Sequence, residues 1–168
     1  MKHAALAIIL SSALASAGTD SSQAPAANGT DQIRLVGQDG RTPTPGPSAS
    51  FTGHVQVEQL FGTHDPSRVT GGIVTFQPGA RSGWHTHPLG QVLIVTAGSG
   101  LVQQWGAKAH AMKVGDVVWI PPGVKHWHGA SPSSTVAHIS VQEMVDGKNV
   151  VWMEPVTDEQ YSNAAEAH

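Results

Sequence analysis

Four residues in this chain have the types and spacing to hold a metal ion. His85 and His87 sit at i and i+2 in the stretch Trp84-His85-Thr86-His87. On an extended chain, side chains two apart share a face, so both imidazoles can reach one point. Pro88-Leu89-Gly90 reads as a tight turn, and Gln91 then opens the apolar run Val92–Val95. So short a turn returns Gln91 beside the histidine pair. Two imidazole nitrogens and an amide oxygen could then converge on a cation.

A second stretch adds a fourth donor. In Gly115–His128, Gly115-Asp116 signals a turn and Val117–Ile120 a short strand. Pro121-Pro122-Gly123 ends that strand with a bend. His126 follows at the start of the next extended segment. His128 shares the parity of His126 but reads as an outer-layer or exposed residue rather than a ligand.

The spacing of both stretches resembles the paired motifs of the cupin superfamily. Gly79, His85, His87, the position of Gln91, and Gly98 follow the first motif; Gly115, Pro121, Gly123 and His126 follow the second. Two departures are visible. Gln91 stands where the family usually has glutamate, and Ala130 where an asparagine often follows the last histidine. A closer likeness links Pro78–Gly98, Gly115–Ala130, Val141–Lys148 and Trp152–Tyr161 to bacterial cupin-type hydroxynitrile lyases. It spans about Phe51 to Tyr161. The resemblance implies that His85, His87, Gln91 and His126 bind manganese. It also implies that His138 is the base in the cleavage of aromatic (R)-cyanohydrins such as mandelonitrile. Gln142, four residues on and on the same face of the strand, would orient substrate, with Gly72 and Val74 as further substrate-facing positions.

The donor set carries chemical information of its own. Three neutral histidines and an amide leave the charge of a divalent ion uncompensated. A glutamate would offset one unit, worth about 4 kcal/mol at ~4 Å and an effective dielectric of ~20. Such an ion is a stronger Lewis acid toward an alkoxide. Nitrogen and oxygen donors suit Mn2+, and equally Fe2+, Ni2+, Co2+ or Zn2+. Two other functions stay open at this stage: an oxygen-dependent cupin dioxygenase, and a non-catalytic exported binding module.

The elements that must position these residues follow from composition and punctuation. The 168 residues are enough for one domain with a sizeable core. Only 12% are charged, while Gly and Pro number 19 and 11, which suits a turn-rich β protein. The absence of cysteine excludes disulfides and thiol chemistry. A net charge of −3 without a Lys/Arg cluster argues against nucleic acid as a partner. The expected partner is a small molecule.

Met1–Ala17 has a positive start, an apolar centre and the small-x-small pattern Ala15-Ser16-Ala17. It reads as a secretory signal peptide, too short for a membrane span. The mature protein would be secreted or periplasmic, with no membrane association after cleavage. Residues 18–50 read as a flexible leader and a Pro/Gly-rich linker, with an edge strand at Gln32–Val36. Residues 51–163 read as the barrel.

Within it, His54–Leu60 alternates as a half-buried strand, and Arg68–Phe76 is a strand whose Gly71-Gly72 pair marks a bulge or a thinned wall. Ala97–Gly100 reads as a hairpin turn, Thr135–Glu143 as a strand, and Asn149–Glu154 as a last strand. Thr157-Asp158-Glu159-Gln160 is a capping box for a short helix. His54 and His64 lack motif spacing and read as surface residues, and Trp84, Trp119 and Trp127 as packing residues. The fold expected is all-β: a single-domain cupin, a small jelly-roll β-barrel with a short C-terminal helix. The resemblance also suggests a homo-oligomer.

Overall fold

The alternation of apolar and polar residues becomes, among the described residues, twelve strands, all paired antiparallel. In the computed structural model, residues 32–167 are described. The expected signal peptide and most of the expected leader, within residues 1–31, lie outside them. The strands are β1 (Thr44–Pro45), β2 (Phe51–Thr52), β3 (Val55–Phe61), β4 (Val69–Phe76), β5 (Arg81–Ser82) and β6 (His85–Thr86). They continue with β7 (Gln91–Gln104), β8 (His110–Lys113), β9 (Val117–Ile120), β10 (His126–Ala130), β11 (Val136–Glu143) and β12 (Val151–Trp152). Among the described residues one α-helix, α1 (Asp158–Glu166), follows the last strand.

β7 makes one rolled barrel out of two sheets. Its first half pairs with β11 and β9, and its second half with β10 and β8. The first sheet runs β1-β3-β4-β11-β7-β9. The second carries β2-β5-β10-β7-β8, with β6 on β10 and β12 on β6. This is the single-domain jelly-roll barrel expected from the turn spacing.

The hairpin expected at Ala97–Gly100 does not form. The strand instead bends there while crossing from one sheet to the other. Gly98 permits this with φ +67 and stands so close to β11 that a Cβ would lie 1.7 Å from the Thr135 carbonyl oxygen. The glycines that suggested a reversal thus serve a close crossing.

Three other expectations shift. Gln32–Val36 forms no strand, and Ile33 and Leu35 are fully exposed. Thr44–Pro45, inside the expected linker, pairs with Val57 and Gln56 of β3. The last strand shrinks to Val151–Trp152. The Gly71-Gly72 pair does face a register irregularity, in β3 between Gln59 and Phe61. A Cβ on Gly71 would meet the Phe61 ring at 2.5 Å, so glycine makes room for that ring.

Two apolar clusters hold the barrel. The larger includes Phe76, Leu93, Val95, Met112, Ile120 and Val136. The other joins Trp84, Leu101 and Trp127 to Val156, Tyr161 and Ala164, so the C-terminal helix closes one side of the roll. The capping box at Thr157 and Gln160 is present in both directions. Trp84 and Trp127 are packing residues as expected, whereas Trp119 is 58% exposed.

Candidate metal centre

The turns after each motif bring the donors together. Gly90 and Gly123, both at positive φ, donate their backbone N–H groups to the same acceptor, the carbonyl of His87, at 3.2 and 2.9 Å. The two motif loops are thereby tied to one backbone oxygen. β10 then lays His126 directly opposite His85 on β6 and opposite Gln104 on β7.

Four imidazoles gather at this end of the barrel. The ring centroids of His85 lie 4.2 Å from His126, 5.2 Å from His87 and 5.2 Å from His128. His87 and His126 are 5.6 Å apart. The Oε1 of Gln91 stands 3.2 Å from Nε2 of His126. All five side chains are at least nine-tenths buried.

Hydrogen bonds fix which nitrogen each ring offers. Nδ1 of His85 faces the Gly83 carbonyl at 2.9 Å, Nδ1 of His87 the Asn149 carbonyl at 2.5 Å, and Nδ1 of His126 the Val124 carbonyl at 2.9 Å. A carbonyl only accepts, so each Nδ1 carries the hydrogen and donates it. In a neutral ring Nε2 is then a bare lone pair. Backbone carbonyls holding the far nitrogen are the usual support for a metal-binding imidazole.

Burial keeps the rings neutral. It is the main cause that lowers His85 well below the ordinary histidine value, with His126 nearby adding to it. Burial also lowers His87, and takes His126 to about 4. Each lone pair is therefore present at neutral pH.

Those lone pairs fit a cation. Nε2 of His87 is buried with no hydrogen-bond partner. Nε2 of His126 and Oε1 of Gln91 present lone pairs to one another at 3.2 Å, an arrangement that only a positive centre makes favourable. His87 and Gln91 thus stand as neutral donors beside His85 and His126, the four residues expected to hold a metal ion. His85, His126 and His128 also each bring a ring nitrogen within 4.8 Å of the others.

His128, read from the sequence as an outer-layer or exposed side chain, is buried among these imidazoles. It is 4% exposed. The available signal was its parity with His126 across Trp127, which puts both imidazoles on one face of β10.

His138 lies one layer deeper. It is fully buried, packs 5.7 Å from the Phe76 ring, and its Nε2 is 3.1 Å from Nδ1 of His128. Burial lowers His138 to about 4 and is the main cause that drives His128 well below the usual range. The outer nitrogens of the pair, Nε2 of His128 and Nδ1 of His138, have no partner.

A cavity of about 330 Å³ opens beside the histidines. His85, His87, Gln91 and His128 border it on one side, and Phe51, Val57, Val74 and Trp152 give it an apolar wall. Ser140 and Gln142 add polar groups. His138 does not border it. No carboxylate does either, among the described residues. Of the expected substrate-facing positions, Val74 and Gln142 line this cavity. Gly72 lines a neighbouring groove with Phe61 and Met144 instead. His54 and His64 are on the surface, far from motif spacing in structure as in sequence.

Known proteins share this arrangement of strands and sequence. Residues 72–141 match the Cupin domain family. The chain is 57% identical over 116 residues to an (R)-mandelonitrile lyase of Granulicella tundricola, covering 69% of this chain and 88% of that protein. It is 43% identical to a cupin-like protein of Thermotoga maritima, with a TM-score of 0.71 over 74% of this chain and 95% of the other. At 18% identity, a cupin 2 conserved barrel domain protein of Rhodopseudomonas palustris shares the fold, with a TM-score of 0.56 over 71% and 79% of the two chains. With relatives this similar across most of their length, and with the spacing of both motifs kept in a jelly-roll barrel, the chain belongs to the cupin family.

Proposed function

We propose that this protein is a metal-dependent hydroxynitrile lyase that cleaves aromatic (R)-cyanohydrins such as mandelonitrile to an aldehyde and hydrogen cyanide. The observation that carries the reading is the 57% identity to an (R)-mandelonitrile lyase over 88% of that protein. The stereochemical preference rests on that relative alone. The site is compatible in detail: a neutral donor set beside an apolar cavity of a size that suits one aromatic ring.

His85, His87, Gln91 and His126 would hold the cation, with Mn2+ the first choice and Fe2+, Ni2+, Co2+ or Zn2+ as alternatives. A divalent ion held without a protein carboxylate supplies a strong Lewis acid that lowers the pKa of a nearby substrate hydroxyl. The side chains do the rest. Phe51, Val57, Val74 and Trp152 receive the aryl group and exclude water. Gln142 orients the polar end. The bare Nε2 of His128 takes the hydroxyl proton, while its Nδ1–H passes to Nε2 of His138. The electron pair freed on oxygen becomes the carbonyl π bond, and the bond to the nitrile carbon breaks, its own electron pair leaving on the carbon as cyanide. The proton returns through the same two rings to give hydrogen cyanide.

The pattern at residues 15–17 supports export as part of this proposal, and the likeness to other cupins supports a homo-oligomer. The test of function is direct. Protein loaded with Mn2+ should release benzaldehyde from mandelonitrile without consuming oxygen. Release no faster than in buffer at several pH values would end this reading.

A further inference from the structure

A single hydroxyl proton, on Thr70, decides which way the Gln91 amide points. Thr70 sits on β4 directly opposite Gln142 on β11. Its Oγ1 lies 3.0 Å from the backbone carbonyl of Gln142. A carbonyl only accepts, so the one hydroxyl hydrogen is committed there. Two lone pairs remain, and two amide groups use them: Nε2 of Gln142 and Nδ2 of Asn149, each at 3.2 Å. The hydroxyl is then saturated, with one hydrogen given and two accepted.

The consequence passes along the chain. The end of the Gln142 amide that faces Thr70 must be the NH2 end, so its Oε1 faces the other way. That oxygen stands 3.4 Å from Nε2 of Gln91 and accepts from it. Gln91 therefore shows its NH2 group to Gln142 and its Oε1 to the histidines, 3.2 Å from Nε2 of His126. Were either amide reversed, Gln91 would present N–H groups to a cation and could not ligate it. The branch through Asn149 ends at the same site, because the Asn149 carbonyl holds Nδ1 of His87.

We infer that Thr70 is a positioning residue for metal binding, acting through Gln142 to hold the Gln91 amide oxygen toward the ion. A glutamine ligand needs such a device, since only one of its two ends can coordinate. A glutamate has two equivalent oxygens and needs none. The inference uses the metal-binding part of the proposed function and not the lyase reaction.

The test exploits that difference. Mn2+ affinity is measured by calorimetry on metal-stripped full-length protein carrying Thr70→Val, Thr70→Ser, Gln142→Met and Gln91→Glu, singly and with the first and third combined with the last. Thr70→Val and Gln142→Met should each weaken Mn2+ by about 10- to 100-fold, the range found when outer partners of metal ligands are removed. Thr70→Ser keeps the hydroxyl and should restore affinity to within about threefold. In the Gln91→Glu background, Thr70→Val and Gln142→Met should lose their effect. If Thr70→Val does not fold, the Gln142→Met pair of measurements decides the same question. Unchanged affinity in Thr70→Val or Gln142→Met, or an equal loss with Gln91 and with Glu at that position, overturns the inference. So does the absence of Mn2+ binding by the unaltered protein. Mandelonitrile turnover by the same samples separates the two proposals: a protein that binds Mn2+ with this pattern but cleaves nothing keeps this inference and loses the lyase function.

Discussion

The Nε2 of His138 lies 3.1 Å from the Nδ1 of His128, and of the two rings only His128 borders the cavity. In the proposed reaction, a proton taken from substrate would therefore reach His138 through His128. Two rings joined in series should act as one base.

His138→Ala should lower kcat for mandelonitrile by about 10²- to 10⁴-fold, the usual worth of a positioned general base. Mn2+ content should stay near that of the unaltered protein, since His138 is no part of the donor set. The double variant with His128→Ala should be no slower than the worse single one. Full activity in His138→Ala, or losses that multiply in the double variant, would refute the series arrangement.

The aromatic wall makes a second prediction. Trp152 packs edge to face against Phe51 at 5.3 Å and lies 4.7 Å from the His85 ring. It is also 39% exposed, so it forms a rim rather than a core. Trp152→Ala should raise KM for mandelonitrile roughly tenfold, in keeping with ~1.5 kcal/mol of lost aromatic contact. An aliphatic cyanohydrin should be affected less. Equal KM changes for both substrates would remove Trp152 from the aryl site.

The gathering of His85, His87, Gln91 and His126 at one end of the barrel was legible in the sequence because it depends on local rules. The i, i+2 parity of His85 and His87 and the two glycine-bounded turns need no long-range information. The reading failed where one glycine pattern fits two outcomes. Gly98 and Gly100 suit a hairpin as well as a strand crossing, and only the 1.7 Å approach to Thr135 tells them apart. His138 was legible as a strand residue sharing a face with Gln142. Its place behind His128 was not, because depth along a face depends on how the sheets roll. The Thr70 network was hidden for the same reason: its members span β4, β7, β11 and the loop before β12.

That crossing is itself testable. Gly98→Ala would combine a positive φ with a Cβ inside the Thr135 carbonyl. Relief requires β7 and β11 to separate, which breaks pairing at the centre of the barrel. The expected result is insoluble protein, or a loss of more than about 4 kcal/mol, the size reserved for such backbone conflicts. Soluble protein of ordinary stability on urea unfolding would show that the crossing can relax.

The C-terminal helix offers a milder case. The Tyr161 hydroxyl donates to the Ala130 carbonyl at 2.8 Å, and burial raises its pKa. Arg81 lies over the same ring, 4.9 Å from its centre. Tyr161→Phe keeps the ring and removes only the hydrogen bond. It should cost about 1 kcal/mol in urea unfolding and leave Mn2+ affinity unchanged. A large loss of affinity would mean that the helix supports the metal centre through β10.

Acid should destabilise the metal-free protein through its histidines. His85, His87, His126, His128 and His138 all have lowered pKa values, with His126 and His138 at about 4. In the unfolded chain each returns to about 6.5. Between the folded and unfolded values the unfolded chain binds more protons than the folded one, so stability rises with pH in that window. Conversely, it should fall as pH drops from about 6.5 toward 4, by up to ~1.4 kcal/mol per pH unit for each histidine protonated only on unfolding. Bound Mn2+ binds the folded state and should raise stability throughout the window, fading only as protons compete for the same nitrogens. Urea midpoints of metal-free and Mn2+-loaded protein from pH 7 to 4.5 measure both effects. A flat profile for the metal-free protein would mean that these imidazoles are not held neutral by burial, and the lone pairs on which metal binding depends would have to be explained another way.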